Sequence, residues 1–248
     1  MKAMIFAAGL GTRLGEMTLT RPKALADING NTMLALTAEK LVAAGFDDLL
    51  VNIHHHPEQM LEEIDKLRRR GFRITVSDER NELLDTAGGL YRAREFFGSE
   101  PFLAHNVDEF TDLDLAGMYR QHAESGALAT LAVRHRPGNR MLLVDASGRV
   151  RGWRNNATKE EILTVESSRK LLEVGFSGIQ VLSPAIFDLM QEGIYSLTSL
   201  YLMLAKNHLI MTCLHDYGYW FDCGTPQNLE KIRAHLKKEN EPGSVLPE

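Results

Sequence analysis

The chain has 248 residues, 44% of them hydrophobic and 25% charged, with a formal net charge of −5. That is enough for one large α/β domain or two small ones, and it excludes a disordered or fibrous chain. The acidic balance argues against nucleic-acid binding. Two cysteines, Cys213 and Cys223, make no disulfide framework and suit a reducing, cytoplasmic setting, and no apolar stretch approaches membrane-spanning length.

The run Ala3-Met4-Ile5-Phe6 predicts a buried first strand, not a removable leader. It feeds Ala7-Ala8-Gly9-Leu10-Gly11-Thr12-Arg13-Leu14, and Arg21-Pro22-Lys23 follows. Strand, glycine-broken turn and two cations in that order suit a polyphosphate. Glycines let backbone N–H groups approach phosphate oxygens, and Arg13 and Lys23 neutralise the remaining charge. The loop lacks the Gly-Lys-Ser/Thr ending of a Walker loop. Its next glycine, Gly15, comes one position late for Gly-x-Gly-x-x-Gly.

Further along, 32–44 has the apolar spacing of a helix that stops at Gly45, and 49–53 is a short buried strand. His54-His55-His56 cannot converge on one ion, because adjacent strand residues face opposite ways. Pro57 opens a helix with Met60, Leu61, Ile64 and Leu67 inward, and Arg68-Arg69-Arg70 sit at its negative end. Strands are predicted at 72–76, 101–106 and 127–133, with a helix at 115–125 between the last two. Thr86-Ala87-Gly88-Gly89 reads as a glycine-containing helix start where a flat ring could lie on bare backbone. The βαβα rhythm predicts a Rossmann-like, mostly parallel central sheet with helices on both faces.

After 134 the rhythm changes. Residues 141–144 and 149–153 predict a hairpin about Asp145-Ala146-Ser147-Gly148. A strand at 174–182, helices at 184–190 and 196–207, and strands at 209–214 and 219–222 follow. Thr225 caps a last helix that begins at Pro226, and 240–248 reads as frayed. No linker separates the halves. A single domain, 1–248, is expected, with a nucleotide half to about 134 and an acceptor half over about 135–240.

Two aspartates lie at predicted strand ends, Asp108 after 101–106 and Asp222 after 219–221. Ligands of open parallel sheets bind beyond the carboxyl ends of strands, and two carboxylates from distant segments could share one hard cation such as Mg²⁺. Gly178, inside an apolar strand, marks either a bulge or a close approach.

Together these motifs resemble the sugar-phosphate nucleotidylyltransferases over nearly the whole chain. Residues 7–14 with Pro22-Lys23 resemble the signature loop, and Leu83-Leu84-Asp85-Thr86-Ala87-Gly88-Gly89 the base-contacting segment. Asn106-Val107-Asp108 is similar to the family's Asn-Gly-Asp, Phe176-Ser177-Gly178-Ile179 to its acceptor strand, and Trp220-Phe221-Asp222-Cys223-Gly224-Thr225-Pro226 to its closing motif. The resemblance implies the nucleotide-diphospho-sugar transferase fold and a reaction of a nucleoside triphosphate with a sugar 1-phosphate. It implies nucleotide contacts from Ala7, Ala8, Gly9, Leu10, Gly11, Thr12, Arg13, Lys23 and Gly88. Arg13 and Lys23 are its catalytic cations, Asp108 and Asp222 its Mg²⁺ ligands, and Asn106, Glu173 and Ser177 its sugar-phosphate contacts.

UTP with N-acetylmuramate 1-phosphate is the expected pair, and GTP with mannose 1-phosphate the alternative. Val107, in place of glycine, is expected to narrow the space beside the α-phosphate. Trp153-Arg154-Asn155-Asn156 takes the place of the family's Glu-Lys-Pro segment, so the acceptor site departs most from the pattern. The left-handed β-helix domain of longer relatives has no counterpart, and acyltransferase activity is not expected. Two other classes stay open: a nicotinamide-dependent oxidoreductase and a non-catalytic sugar-nucleotide-binding regulator.

Overall fold

A computed structural model of the protein describes residues 1–164 and 170–239; the frayed tail expected at 240–248 lies outside the described residues. The first strand, Lys2–Phe6, occupies the middle of the sheet. Asp48–Ile53 and Phe102–Asn106 pair with it in parallel on either side, and Arg73–Asp78 lies outside Asp48–Ile53. Ala3, Met4 and Ile5 are wholly buried. A strand covered on both faces reads as an unbroken apolar run, which is how it appears in the sequence.

Alternation then sorts its side chains between two cores. Ala3 and Ile5 join a cluster with residues of the helices Met33–Ala43, Pro57–Arg69, Leu115–Ser125 and Pro226–Glu239. Met4 and Phe6 join another with Ala87 and Leu90 of Asp85–Arg92 and with residues of Leu197–Leu204. Helices therefore cover both faces. Thr32, Asp114 and Ser196 cap three of them through side-chain oxygens that accept from backbone N–H groups. Met60, Ile64 and Leu67 are buried as expected, each worth roughly 1.5–3 kcal/mol of burial.

The 11-residue strand Leu172–Leu182 joins the two halves. Its second half runs antiparallel to Phe102–Asn106, and its first half pairs with Arg140–Val144 of a hairpin. That hairpin continues through Val150–Asn155 to Glu161–Leu163. On the other side of the long strand lies Ala129–Arg134, and then Ile210–Leu214, which pairs parallel to it.

Three expectations change in detail. The helix predicted over 184–190 is the 3₁₀ turn Pro184–Leu189, and the one over 196–207 is the shorter Leu197–Leu204. The strand expected at 219–222 stays out of the main sheet. Trp220–Asp222 instead pairs with Glu109–Thr111 as a two-stranded ribbon. Among the described residues, no helix is long and apolar enough to cross a membrane.

Candidate active site

Loop 7–14 leaves the carboxyl end of the central strand. A buried asparagine on the neighbouring strand fixes its root: Asn52 Oδ1 accepts from the Ala7 N–H at 2.8 Å, while Asn52 Nδ2 donates to Glu79 Oε1 at 2.8 Å. Ala7 and Ala8 are buried, whereas Gly9, Leu10, Thr12 and Arg13 are exposed. A Cβ on Gly9 would meet nothing within 4 Å, so its backbone opens onto free space. Gly11 differs. It has φ +65°, and a Cβ there would lie 2.8 Å from the Lys23 Cβ. Only a glycine lets the loop close over that lysine.

The two cations and two carboxylates singled out in the sequence come together here. Lys23 Nζ donates to Asp108 Oδ2 at 2.5 Å. Arg13 donates through Nη1 to Asp222 Oδ2 at 3.0 Å and through Nη2 to Asp222 Oδ1 at 3.4 Å, and Nη2 lies 3.8 Å from Asp108 Oδ2. The ribbon explains the convergence: Asp222 stands opposite Glu109, and the Cys223 N–H donates to the Asp108 carbonyl at 2.8 Å. Gly224 completes the arrangement, since a Cβ there would fall 2.3 Å from Arg13 Nη2.

Burial opposes ionisation of Asp222. Hydrogen bonds from Arg13 and the Gly224 N–H, with the charges of Arg13 and Lys23, still hold it below the usual carboxylate range. Beside it, burial pushes Glu109 well above that range, and the charges of Asp108 and Asp222 add to the effect. Burial and its carboxylate neighbours thus both disfavour ionisation of Glu109. Motif reading passed over it because it is one residue beyond Asp108.

Other expected contacts lie elsewhere. Ser177 is fully buried, with Oγ 2.8 Å from His215 Nε2, and does not line the cleft. Glu173 accepts from Arg154 and, at 3.0 Å, from Asn156 Nδ2. Val107, in the turn between Phe102–Asn106 and Glu109–Thr111, is 1% exposed and packs in the core, so it does not narrow the space beside a phosphate. Gly88 lies inside the helix Asp85–Arg92, where a Cβ would stand 2.2 Å from the Gly193 carbonyl oxygen, so its missing side chain serves packing. Gly178, at φ +71°, admits the side chains of Asn106 and Glu109. The three histidines do not gather on one point, although the His55 and His56 ring centres lie 3.9 Å apart. His54 Nδ1 meets the Glu79 carbonyl at 2.7 Å, His55 Nε2 the Thr18 carbonyl at 3.0 Å, and His56 precedes a helix in the left-handed region.

Beside the charged cluster lies a cavity of about 600 Å³. Its lining includes Arg136, whose guanidinium sits 4.7 Å from the Trp220 ring and donates to the Phe176 carbonyl at 3.0 Å. Trp153 and Asn155 of the substituted segment face it too, with Leu142 and Arg140 across the hairpin. Arg136 and Arg140 carried no recognisable motif. Their only sequence signal is two arginines flanking a Pro-Gly turn beside a strand.

A glycine-opened loop at the carboxyl end of a parallel sheet, facing paired cations and carboxylates, defines an α/β protein built to handle phosphates. Comparisons with known proteins then specify it. The family model described as nucleotidyl transferase matches residues 2–141. The UTP–glucose-1-phosphate uridylyltransferase of Synechocystis is 30% identical over 96% of this chain and 64% of its own. The mannose-1-phosphate guanyltransferase of Schizosaccharomyces pombe is 28% identical over 98% and 69%. The N-acetylmuramate α-1-phosphate uridylyltransferase of Caulobacter vibrioides is 26% identical over 94% and 96%. The chain thus spans just under two thirds of the first relative's length and nearly all of the third. The solved UDP-glucose pyrophosphorylase of Acinetobacter baumanii shares the fold, with TM-score 0.76 at 18% identity over 97% of this chain and 94% of that one. The chain belongs to the nucleotidyl transferase family, among its sugar-phosphate nucleotidylyltransferases.

Proposed function

We propose that this chain is an enzyme joining a nucleoside triphosphate to a sugar 1-phosphate, with release of pyrophosphate and a nucleoside diphosphate sugar. UTP and N-acetylmuramate 1-phosphate are the favoured pair. One observation carries the reading: Arg13, Lys23, Asp108 and Asp222 converge from separate segments beside the open backbone of Gly9.

A sugar phosphate is already ionised at neutral pH, so its attack on the α-phosphate needs no general base. It needs alignment and relief of crowded negative charge. Arg13, 59% exposed, presents a planar fork to the departing pyrophosphate. Lys23, largely buried at the loop's inner edge, is the compact charge for the oxygens of the attacking phosphate and the α-phosphate. Asp108 and Asp222 hold both cations in the cleft before substrate arrives.

Those carboxylates also fit a divalent cation, Mg²⁺ by the hardness of the donors. They already flank one positive group, the Arg13 guanidinium, from two sides. Bound there, the ion would screen phosphate charge. Among the described residues no group of three or more His, Cys, Asp or Glu is arranged to hold a metal.

The uridylyl reading is supported by the N-acetylmuramate relatives, 26% and 28% identical and matched over 96–97% of their own chains. GTP with mannose 1-phosphate is the second reading, supported by the guanyltransferase relative. A cytoplasmic site of action, with neither nucleic acid nor membrane as partner, accords with either. Pyrophosphate release across four nucleotides and several sugar 1-phosphates, with and without Mg²⁺, tests the proposal. UTP with N-acetylmuramate 1-phosphate is expected to turn over fastest. No release with any pair returns the chain to the class of sugar-nucleotide-binding regulators.

A further inference from the structure

Two buried polar side chains meet behind the root of loop 7–14, Asn52 at 3% exposure and Glu79 at 1%. Glu79 follows the strand Arg73–Asp78 directly. Its N–H donates to the Ile53 carbonyl at 2.8 Å, and its carbonyl meets His54 Nδ1 at 2.7 Å, so its backbone is held on both sides. A carboxyl shut away from water costs stability, and burial pushes this one above the usual carboxylate range against the pull of the Asn52 hydrogen bond. An apolar side chain would be less costly there unless the carboxyl oxygen holds something in place.

What it holds is an orientation. The two ends of an asparagine amide have nearly the same shape but opposite hydrogen-bonding character. The Ala7 N–H can only donate, so it requires Asn52 Oδ1, and Glu79 Oε1, which accepts from Asn52 Nδ2, rejects the flipped amide. Without Glu79 the amide is fixed at one end and its buried nitrogen has lost its acceptor. Ala7 is where the central strand gives way to the loop, so a turned Asn52 frees the first N–H of the segment that carries Gly9 and Gly11. A second segment closes on the same pair. A Cβ on Gly89 would lie 2.7 Å from Glu79 Oε1 and 3.1 Å from Asn52 Nδ2. The Asn52–Glu79 hydrogen bond thus stands between the phosphate loop and the helix Asp85–Arg92, whose opening residues resemble the family's base-contacting segment.

We infer that Glu79 is a positioning residue that, through the Asn52 amide, holds the phosphate loop in the conformation that receives the nucleoside triphosphate. This rests on the nucleotidyl-transfer reading above and names the group that preorganises its nucleotide side. Buried as it is, Glu79 acts through Asn52 and not by contact with substrate.

The test compares variants with the wild type on the triphosphate and sugar 1-phosphate that the wild type turns over fastest. Glu79→Leu is expected to raise KM for the triphosphate about 10- to 100-fold, while KM for the sugar phosphate stays within about threefold. Glu79→Gln still offers Asn52 an oxygen and should recover most of the loss. Asn52→Asp sets two acceptors against each other and should weaken triphosphate binding. Adding Glu79→Gln turns one of them into a donor, and the double variant should return close to wild type. An unchanged triphosphate KM in folded Glu79→Leu, or an equal rise in both KM values, overturns the inference while leaving nucleotidyl transfer standing. A double variant no better than Asn52→Asp does the same. If no pair releases pyrophosphate, the transfer reading fails, and equilibrium binding of UTP then decides the role of Glu79. Weaker binding by Glu79→Leu than by the wild type supports it; no binding by the wild type, or equal binding by both, overturns it. Melting temperatures report folding, and if Glu79→Leu does not fold the Asn52→Asp series carries the test.

Discussion

The charged cleft and the hairpin cavity adjoin each other but are built on different plans. The cleft joins residues as far apart as Arg13 and Asp222, 209 positions distant, and its geometry depends on the central sheet, the ribbon and the glycines that let side chains close in. The cavity floor comes from one contiguous stretch of antiparallel strands whose facing residues are set by local register. A change in the cleft disturbs many elements at once. A change in the hairpin alters what the cavity holds and leaves the charged cluster in place.

Substitutions can break this contrast. The largest effect is expected in the cleft: Lys23→Ala and Asp222→Asn should each lower kcat roughly 10²–10³-fold with circular dichroism unchanged, because a preorganised charge in the cleft is lost. Near-wild-type turnover in either would remove that residue from the chemistry. Gly88→Ala comes next and acts on stability, since the new Cβ would press on the Gly193 carbonyl, a backbone atom that cannot swing aside. A loss of about 1–3 kcal/mol, read from the urea midpoint, is expected.

On the cavity side, Trp153→Ala should raise KM for the acceptor about tenfold, leaving KM for the nucleotide and kcat within a few fold. An equal rise in both KM values would show that the two regions are not separable.

The smallest effect is a pH dependence of stability. Burial holds the His215 imidazole, paired with Ser177, down at about 4 against an ordinary 6.5. The unfolded chain therefore binds more protons between those values. Stability is full above pH 6.5 and falls as the pH drops toward 4. His105 and His122, also held at about 4, contribute in the same sense. His215→Gln should flatten part of that slope in urea melts at pH 7 and pH 5; an unchanged slope would mean that His215 titrates normally.

Most of the cleft was legible before any coordinates. Gly9, Gly11, Arg13, Lys23, Asp108 and Asp222 are residue types that ordinary core or surface positions do not require in that order, so they stand out. Glu109 and Asn52 did not. A glutamate and an asparagine are unremarkable until burial and neighbours are known, and those come from strands distant in sequence. Ser177 and Val107 turn inward for a related reason: a motif locates a residue along the chain but not the side to which its side chain packs. The expected role of Gly88 overlooked the 193 loop, whose carbonyl occupies the space a side chain would need.

The amino-acid order dictated the alternation of strands and helices, the glycine-opened loop and the choice of Arg13, Lys23, Asp108 and Asp222 as candidates, because periodicity and residue chemistry are local properties. Which carboxylate meets which cation, and that burial disfavours ionisation of Glu109, emerged from the folded chain. Those outcomes depend on burial and on distances between remote segments, and such distances are set when the sheet, the ribbon and the hairpin pack together.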